Sequence, residues 1–125
     1  MSNSTLFDKA TDLSFVLESG PLNEVGFGLY TLHLRFAALH IVVNSPCEVT
    51  AAGGAIETWE PQHELGDLRM FVPLLASEIK SYRVTRRPEL LLELSNGCQL
   101  ALIDHQKGYE SFVLWAKDGS CLPVI

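Results

Sequence analysis

The stretch ELLLELSNGCQLALID, residues 89–104, constrains the fold of this chain more than any other. Two apolar runs flank an Asn-Gly pair, the strongest short-range signal of a β-hairpin, because both central residues of a type I′ turn need a positive φ. A two-residue Asn96-Gly97 loop places Leu91 opposite Leu102 and makes both faces of the hairpin apolar, whereas a half-solvated strand alternates apolar with polar residues. We therefore expect both faces to be covered, by a helix and a second sheet layer or by a second copy of the chain.

The remaining strand signals give a β-rich chain. Ser4 is a plausible N-cap for an amphipathic helix over 5–18, which Gly20-Pro21 ends. Alternating or β-rich residues predict strands at 29–36, 39–43, 47–50, 79–85 and 109–116, and a proline-containing edge strand at 121–125. Residues 51–68 are expected to form an irregular acidic connection, with a short helix near Pro73. We predict one α+β domain over 1–125, mainly an antiparallel β-sheet of about six to eight strands with one or two short helices.

Two segments of the chain resemble each other. LHIVVNSPCEV (39–49) aligns without gaps on LLLELSNGCQL (90–100), an offset of 51 residues. Each segment reads as a strand, a tight turn and a second strand. This similarity favours two related β-units and an internal duplication.

Composition and charge indicate a cytoplasmic protein. No apolar run approaches the ~20 residues of a membrane span, and the first residues lack the basic and apolar regions of a secretory signal. Three widely spaced cysteines, Cys47, Cys98 and Cys121, fit a reducing compartment better than a disulfide framework. Residues 1–68 carry nine acidic and two basic side chains, a net charge of −7, and such a surface repels nucleic acid and attracts basic partners.

The sequence holds no recognisable catalytic equipment. It contains no phosphate-binding loop, HExxH pair, nucleophile elbow or CxxC motif. His33 and His40 are seven residues apart, which on a regular strand places them on opposite faces. Asp104 and His105 are adjacent on a predicted loop, where neighbours rarely face each other. We therefore predict no catalytic residues, no metal site, no cofactor and no enzymatic activity.

Two charged segments of the sequence are candidates for binding a partner. The basic cluster Arg83, Arg86 and Arg87 lacks the aromatic residues of a nucleic-acid platform, so we expect it to pair with carboxylates or to rim a hairpin. The segment 57–64 places Trp59 among three carboxylates. Tryptophan is a favoured interface anchor, and surrounding carboxylates steer a cationic partner. Alternatively, Trp59 fills the core beneath a loop.

The C-terminal half carries an Asn-Gly turn, a Tyr-Glu pair, an aromatic residue and a final Asp-Gly turn, at Asn96-Gly97, Tyr109-Glu110, Trp115 and Asp118-Gly119. This pattern resembles a group of small bacterial β-domains that are similar to immunity proteins, the cytosolic antidotes of polymorphic and contact-dependent toxins. The resemblance covers about 79–125 and, more weakly, 29–52. No functional residue transfers with it. The long acidic connection departs from the pattern, and a partner-specific surface is expected there.

These observations predict a cytosolic immunity protein that binds and neutralises a basic protein toxin, for example a nuclease, as a monomer or homodimer without nucleic-acid or membrane partners. The expected partner-binding residues are Glu48, Glu57, Trp59, Glu60, Glu64 and Asp67, with Tyr109 and Glu110 as secondary candidates. The alternative is a small homodimeric ligand-binding or sensor module that uses the second apolar face of the hairpin as its interface.

Overall fold

Two antiparallel sheets of five strands each make up the described part of the protein. The computed structural model describes residues 13–61, 68–105 and 110–124. Sheet 1 has the strand order β1-β2-β3-β9-β10, and sheet 2 has the order β5-β4-β8-β7-β6. The strands are β1 Leu22–Gly28, β2 Thr31–Phe36, β3 Leu39–Val43, β4 Cys47–Thr50, β5 Ile56–Trp59, β6 Ile79–Thr85, β7 Glu89–Leu94, β8 Gln99–Ile103, β9 Phe112–Ala116 and β10 Cys121–Val124. The helical segments of the described residues are 3₁₀ turns at Ser14–Glu18, Leu68–Met70 and Val72–Leu74.

The core lies between the two sheets, because alternate residues of each central strand turn inward. The fully buried side chains include Leu34 of β2, Ile41 of β3, Leu92 of β7 and Leu100 of β8. At one end of the core, Phe27 stacks on Trp59 with ring centroids 6.3 Å apart and meets Phe71 edge-on at 6.0 Å. The 3₁₀ turns that carry Val16 and Leu74, together with Phe71 just before the latter turn, therefore cover this core as an α-helix does in other folds.

The first five strands and the last five follow the same path. β1-β2-β3 is a meander in sheet 1, and the hairpin β4-β5 continues into sheet 2; β6-β7-β8 is a meander in sheet 2, and the hairpin β9-β10 continues into sheet 1. Each sheet is thus completed by a hairpin from the other half of the chain. The joins are the antiparallel pairs β3–β9 and β4–β8.

The equivalence of the two halves extends to local irregularities. In β1 the register shifts between Leu22 and Glu24, and in β6 it shifts between Ile79 and Ser81, so both first strands carry one extra residue at the same place. Superposing these bulges makes Leu22 equivalent to Ile79, and Phe36, which faces Leu22, equivalent to Leu94. The predicted offset of 51 residues is therefore wrong by a strand: it matches β3 with β7, whereas β2 is the counterpart of β7.

Three hairpins share a loop of three residues with glycine last. Gly54, Gly97 and Gly119 have φ of +97°, +92° and +92°. In the opening hairpin the Gly97 N–H donates to the Leu94 carbonyl at 3.0 Å, and the Leu94 N–H donates to the Cys98 carbonyl at 2.9 Å. This is the arrangement of a turn followed by a left-handed residue, which glycine adopts without steric cost.

The three-residue loop corrects the predicted register of the hairpin by one position. Leu92 lies opposite Leu100 and Leu90 opposite Leu102, and all four face the core. The other face pairs Leu91 with Ala101 between polar neighbours. A shift of one residue changes which residues of β8 share a face with those of β7. In the observed register most apolar residues of the hairpin lie on the core face, whereas the predicted register placed apolar residues on both faces. Fewer apolar side chains therefore lie on the outer face, which the homodimer alternative required as its interface.

Other expectations change as well. The antiparallel, β-rich character is confirmed, but ten strands exceed the predicted six to eight, and the described residues form no α-helix. Of the predicted helix 5–18, residues 5–12 lie outside the described residues, and Ser14–Glu18 is a 3₁₀ turn. The connection 51–68, predicted to be irregular, contains β5. The edge position of β10 is confirmed.

The shared loop geometry predicts different costs for two alanine substitutions. Gly119→Ala places a Cβ in open space and should cost about 1 kcal/mol of unfolding free energy for the left-handed backbone alone. Gly97→Ala has a similar φ, but its Cβ would lie 3.3 Å from the Cβ of Ala52, so the loss should be greater. Urea unfolding of both variants measures the difference. Equal losses would contradict the contribution of the Ala52 contact.

Candidate functional site

The outer face of sheet 1 gathers a row of polar and aromatic side chains. Across β1, β2, β3 and β9, Glu24 pairs with Arg35, Arg35 with His40, and His40 with Trp115. These residues alternate with the buried ones and therefore point away from the core. His33, two residues before Arg35 on β2, shares this face. We call Glu24, His33, Arg35, His40 and Trp115 the histidine face.

The two imidazoles at the centre of this face contact each other directly. His33 Nδ1 and His40 Nε2 are 3.0 Å apart, and the ring centroids lie 5.2 Å apart with their planes 29° from parallel. A hydrogen bond requires that one nitrogen carries a hydrogen and the other offers its lone pair. When both rings are neutral, one hydrogen therefore lies between His33 Nδ1 and His40 Nε2.

Burial and charge keep this pair unprotonated. Burial is the main cause that lowers the pKa of His33 below 6.5, and the positive charge of Arg35 lowers it further. The pKa of His40 is lowered by burial first, then by Arg35 and by His33, whereas Glu24 partly opposes the shift. Both imidazoles are consequently neutral near pH 7.

The rim of the histidine face is open to solvent. The Arg35 Nε lies 3.5 Å from a Glu24 carboxylate oxygen, and both side chains are about half exposed or more, so this ion pair contributes little to stability. The Trp115 side chain is 41% exposed. Cys121, the cross-strand partner of Trp115, is an exposed free thiol at the end of the row.

The expectation that His33 and His40 lie on opposite faces is wrong. It treated them as if on one regular strand, but the chain turns between them: Phe36 pairs with Leu39 across a two-residue loop. In that register His40 lies opposite Arg35, and His33 is on the same face as Arg35. The predicted strands 29–36 and 39–43, separated only by Ala37-Ala38, already carried the signal, because pairing them as a hairpin places both histidines on one face.

The equivalent face of sheet 2 shows that the fold does not need these histidines. From the matched bulges, Leu91 is the counterpart of His33 and Gln99 that of His40, while Glu93 corresponds to Arg35. On sheet 2, Glu93 accepts hydrogen bonds from Ser81 and Gln99. The same backbone arrangement is therefore stable with an aliphatic and an amide side chain at the two positions.

One predicted partner-binding residue is already engaged. Both carboxylate oxygens of Glu48, on the outer face of sheet 2, accept hydrogen bonds from the Arg87 guanidinium at 2.5 and 2.9 Å. Arg87 also donates to Glu89 at 3.1 Å. These bonds lower the pKa of Glu48 and compensate its charge. The predicted pairing of the arginine cluster with carboxylates is confirmed for Arg87.

The other predicted residues fall into three groups. Glu57 and Glu60 are exposed at or just after β5, and Glu110 is exposed before β9. Trp59 is 4% exposed and lies in the core, the alternative that the sequence left open. Because Trp59 is packed beside Phe27, its side chain is not accessible to a partner protein. Glu64, Asp67 and Tyr109 lie outside the described residues.

Asp104 and His105 meet at a buried hydroxyl. Ser111 Oγ donates towards Asp104 Oδ1 at 3.3 Å, lies 3.0 Å from His105 Nδ1, and accepts the backbone N–H of His105 at 3.0 Å. The serine side chain has no exposed surface, so a substrate carbonyl has no access to it. These contacts fasten the segment after β8 to the start of β9.

Comparison with known proteins assigns no family, since no family model, curated protein or solved structure matches the chain. Within residues 13–61, 68–105 and 110–124, no three His, Cys, Asp or Glu side chains form a cluster suited to a metal ion. No helix in that part of the chain is long and apolar enough to span a membrane.

The lowered pKa values predict the direction of an acid effect. Between the lowered folded-state values and 6.5, the unfolded chain binds more protons than the native one, so the free energy of unfolding should fall as pH falls below 6.5. His33→Leu/His40→Gln, which installs the sheet 2 residues, should weaken this dependence. Urea unfolding at several pH values measures it, and identical slopes for both proteins would refute the assignment.

Proposed function

We propose that the protein is an immunity-type protein that neutralises a bacterial toxin by binding it, with β5 and the residue after it as the binding surface. The observation that carries the proposal is the pair of exposed carboxylates at this sheet edge, Glu57 and Glu60. No cation of the described residues lies within ion-pair distance of either. Their charge is thus available to a partner, unlike that of Glu48.

Among the described residues, the edge at β5 has neither the bulge nor the proline that the other three sheet edges carry. It is protected by the charge of Glu57, which a basic partner strand neutralises. Natural proteins block edge strands with bulges, prolines and charges. β1 and β6 carry bulges, and β10 contains Pro123. β5 pairs with β4 in an unbroken register and exposes 63% of Ile56. An apolar side chain on an open edge is suited to a partner strand.

The backbone of β5 has hydrogen-bonding groups to offer. The Ala51 N–H donates to the Ala55 carbonyl at 2.8 Å, which sets the alternation of bonded and non-bonded pairs between β4 and β5. In that alternation Glu57 and Trp59 bond to β4, whereas the N–H and C=O groups of Ile56 and Thr58 turn away from it. A partner strand can complete these groups.

Charge decides which strand fits. Glu57 at the middle of β5 would oppose another Glu57 if two copies paired edge to edge about this residue, and like charges directly opposite are destabilising. A partner strand with lysine or arginine opposite Glu57 is attracted electrostatically, whereas a second copy of the chain is repelled. The net charge of −7 in residues 1–68 extends the attraction beyond contact distance and speeds association with a basic protein.

Neutralisation is proposed to proceed by binding without chemistry. The buried Ser111 contacts Asp104 and His105, but its lack of exposure fits a structural role. An acidic antidote acts by occupying the basic cleft of a toxin, as a substitute for phosphate when the toxin is a nuclease. Such occupation needs only complementary shape and charge.

Charge reversal at β5 should abolish protection. Glu57→Lys/Glu60→Lys should lower the association rate for a basic toxin by about tenfold or more at low salt. The matched control, Glu18→Lys/Glu78→Lys, makes the same net charge change at two exposed positions away from β5. Glu18 is the last residue of the first 3₁₀ turn, and Glu78 directly precedes β6, which is at the opposite edge of sheet 2. Growth is measured during co-expression with the toxin gene adjacent to this protein's own gene, and association by surface plasmon resonance.

The outcomes separate the function from the surface. Wild-type protein and the Glu18/Glu78 variant should protect cells, whereas the Glu57/Glu60 variant should not. Protection by the Glu57/Glu60 variant would refute the β5 surface. Failure of the wild type to bind or protect against the toxin would refute the immunity function itself.

Strand addition makes a separate prediction for Thr58. Thr58→Pro removes an N–H that faces outward, so it should leave the pairing of β5 with β4 intact while it removes a donor to the partner strand. Thr58→Ala removes the hydroxyl and keeps the donor. We expect the alanine variant to bind the toxin and the proline variant to lose binding at unchanged circular dichroism. Equal binding by both variants would rule out strand addition at this edge.

A further inference from the structure

We propose that His33 and His40 form a two-ligand site for a divalent transition-metal ion on the outer face of sheet 1. The site is separate from the β5 edge and from the immunity function. Its basis is the 3.0 Å between His33 Nδ1 and His40 Nε2. Two imidazole nitrogens bound to one ion at about 2.0–2.1 Å and at a right angle are also about 3 Å apart, so the two nitrogens keep their spacing and each ring turns by about 45° to aim its lone pair at the shared ion.

The chemistry of the pair suits nitrogen-binding metals. Neutral imidazole is the form that ligates, and the hydrogen bond between His33 and His40 requires an unprotonated acceptor nitrogen on one of the two rings. The ring that donates in the His33–His40 hydrogen bond transfers its hydrogen to its other nitrogen, which frees the second lone pair without net proton release. Two nitrogens with water in the remaining positions, at right angles, favour Cu²⁺ above Ni²⁺ and Zn²⁺.

The surroundings leave room for the remaining water ligands. Gly26 pairs with His33 across β1 and β2, and a Cβ built at Gly26 would meet no atom within 4 Å. Both imidazoles are only partly buried. The charged groups of the face are Arg35, which opposes a cation, and the Glu24 carboxylate beside it, which compensates that charge.

Comparison with sheet 2 indicates that the histidine pair is not needed for packing. Leu91 and Gln99 occupy the equivalent positions in the same backbone arrangement. Packing of the sandwich therefore requires neither histidine, and a hydrogen-bonded imidazole pair at a half-exposed position adds little to stability. Metal chelation is a property that the two histidines have and the leucine–glutamine pair lacks.

Trp115 provides an optical probe, since it lies opposite His40 on β9. The experiment uses tag-free full-length protein with Cys121→Ser, which removes the exposed thiol as a competing copper ligand. Titration with CuCl₂, NiCl₂ and ZnCl₂ is followed by calorimetry, and the copper titration also by tryptophan fluorescence. We expect saturable binding of one ion per chain, strongest for Cu²⁺, with copper quenching that Trp115→Phe removes.

The matched variant is His33→Leu/His40→Gln, which carries the residues of sheet 2. It should lose the saturable binding and the rise in Tm that the metal gives the parent protein. The single variant His40→Gln tests the same point if the double variant does not fold. Absence of saturable binding to the parent protein, or its persistence in these variants, would overturn the proposal and leave the β5 surface untouched.

Discussion

A backbone conformation that only glycine adopts readily decides which side chains reach the core. Three hairpin loops end in a glycine with positive φ, at Gly54, Gly97 and Gly119. Each of these loops has three residues, one more than a two-residue turn. In β7 and β8 that residue turns Leu90, Leu92, Leu100 and Leu102 to the same side. Were the register shifted by one position, the strands would present mixed faces and the two sheets could not pack on each other.

The strands visible in the sequence are those with one buried face. β3, β4 and β6 alternate or run apolar and were predicted with correct limits. β1 was missed because its two glycines, Gly26 and Gly28, weaken the strand signal, and β5 because only Trp59 among its four residues is buried. The histidine pair depended on the register of a hairpin, which spacing along one strand cannot give.

The two outer faces differ although the backbones beneath them correspond. Sheet 2 presents Glu48, Arg87 and Glu89 in a compensated ion cluster, whereas sheet 1 presents two neutral imidazoles beside an exposed tryptophan. Core positions instead remain apolar in both halves, as Leu34 and Leu92 illustrate. Interior packing thus sets the same requirement in the two halves, and the differences between them lie on the surfaces that packing leaves free.

The exchange of hairpins between sheets also affects how the chain acquires its shape during synthesis. When β1 to β5 have left the ribosome, β3 has an open side until β9 is made, and β4 lacks its neighbour β8. The early half cannot close its apolar surface by itself and resembles an unfinished sandwich. Translation speed and chaperones that shield open strands should therefore influence the yield of native protein more than they do for a fold whose halves mature independently.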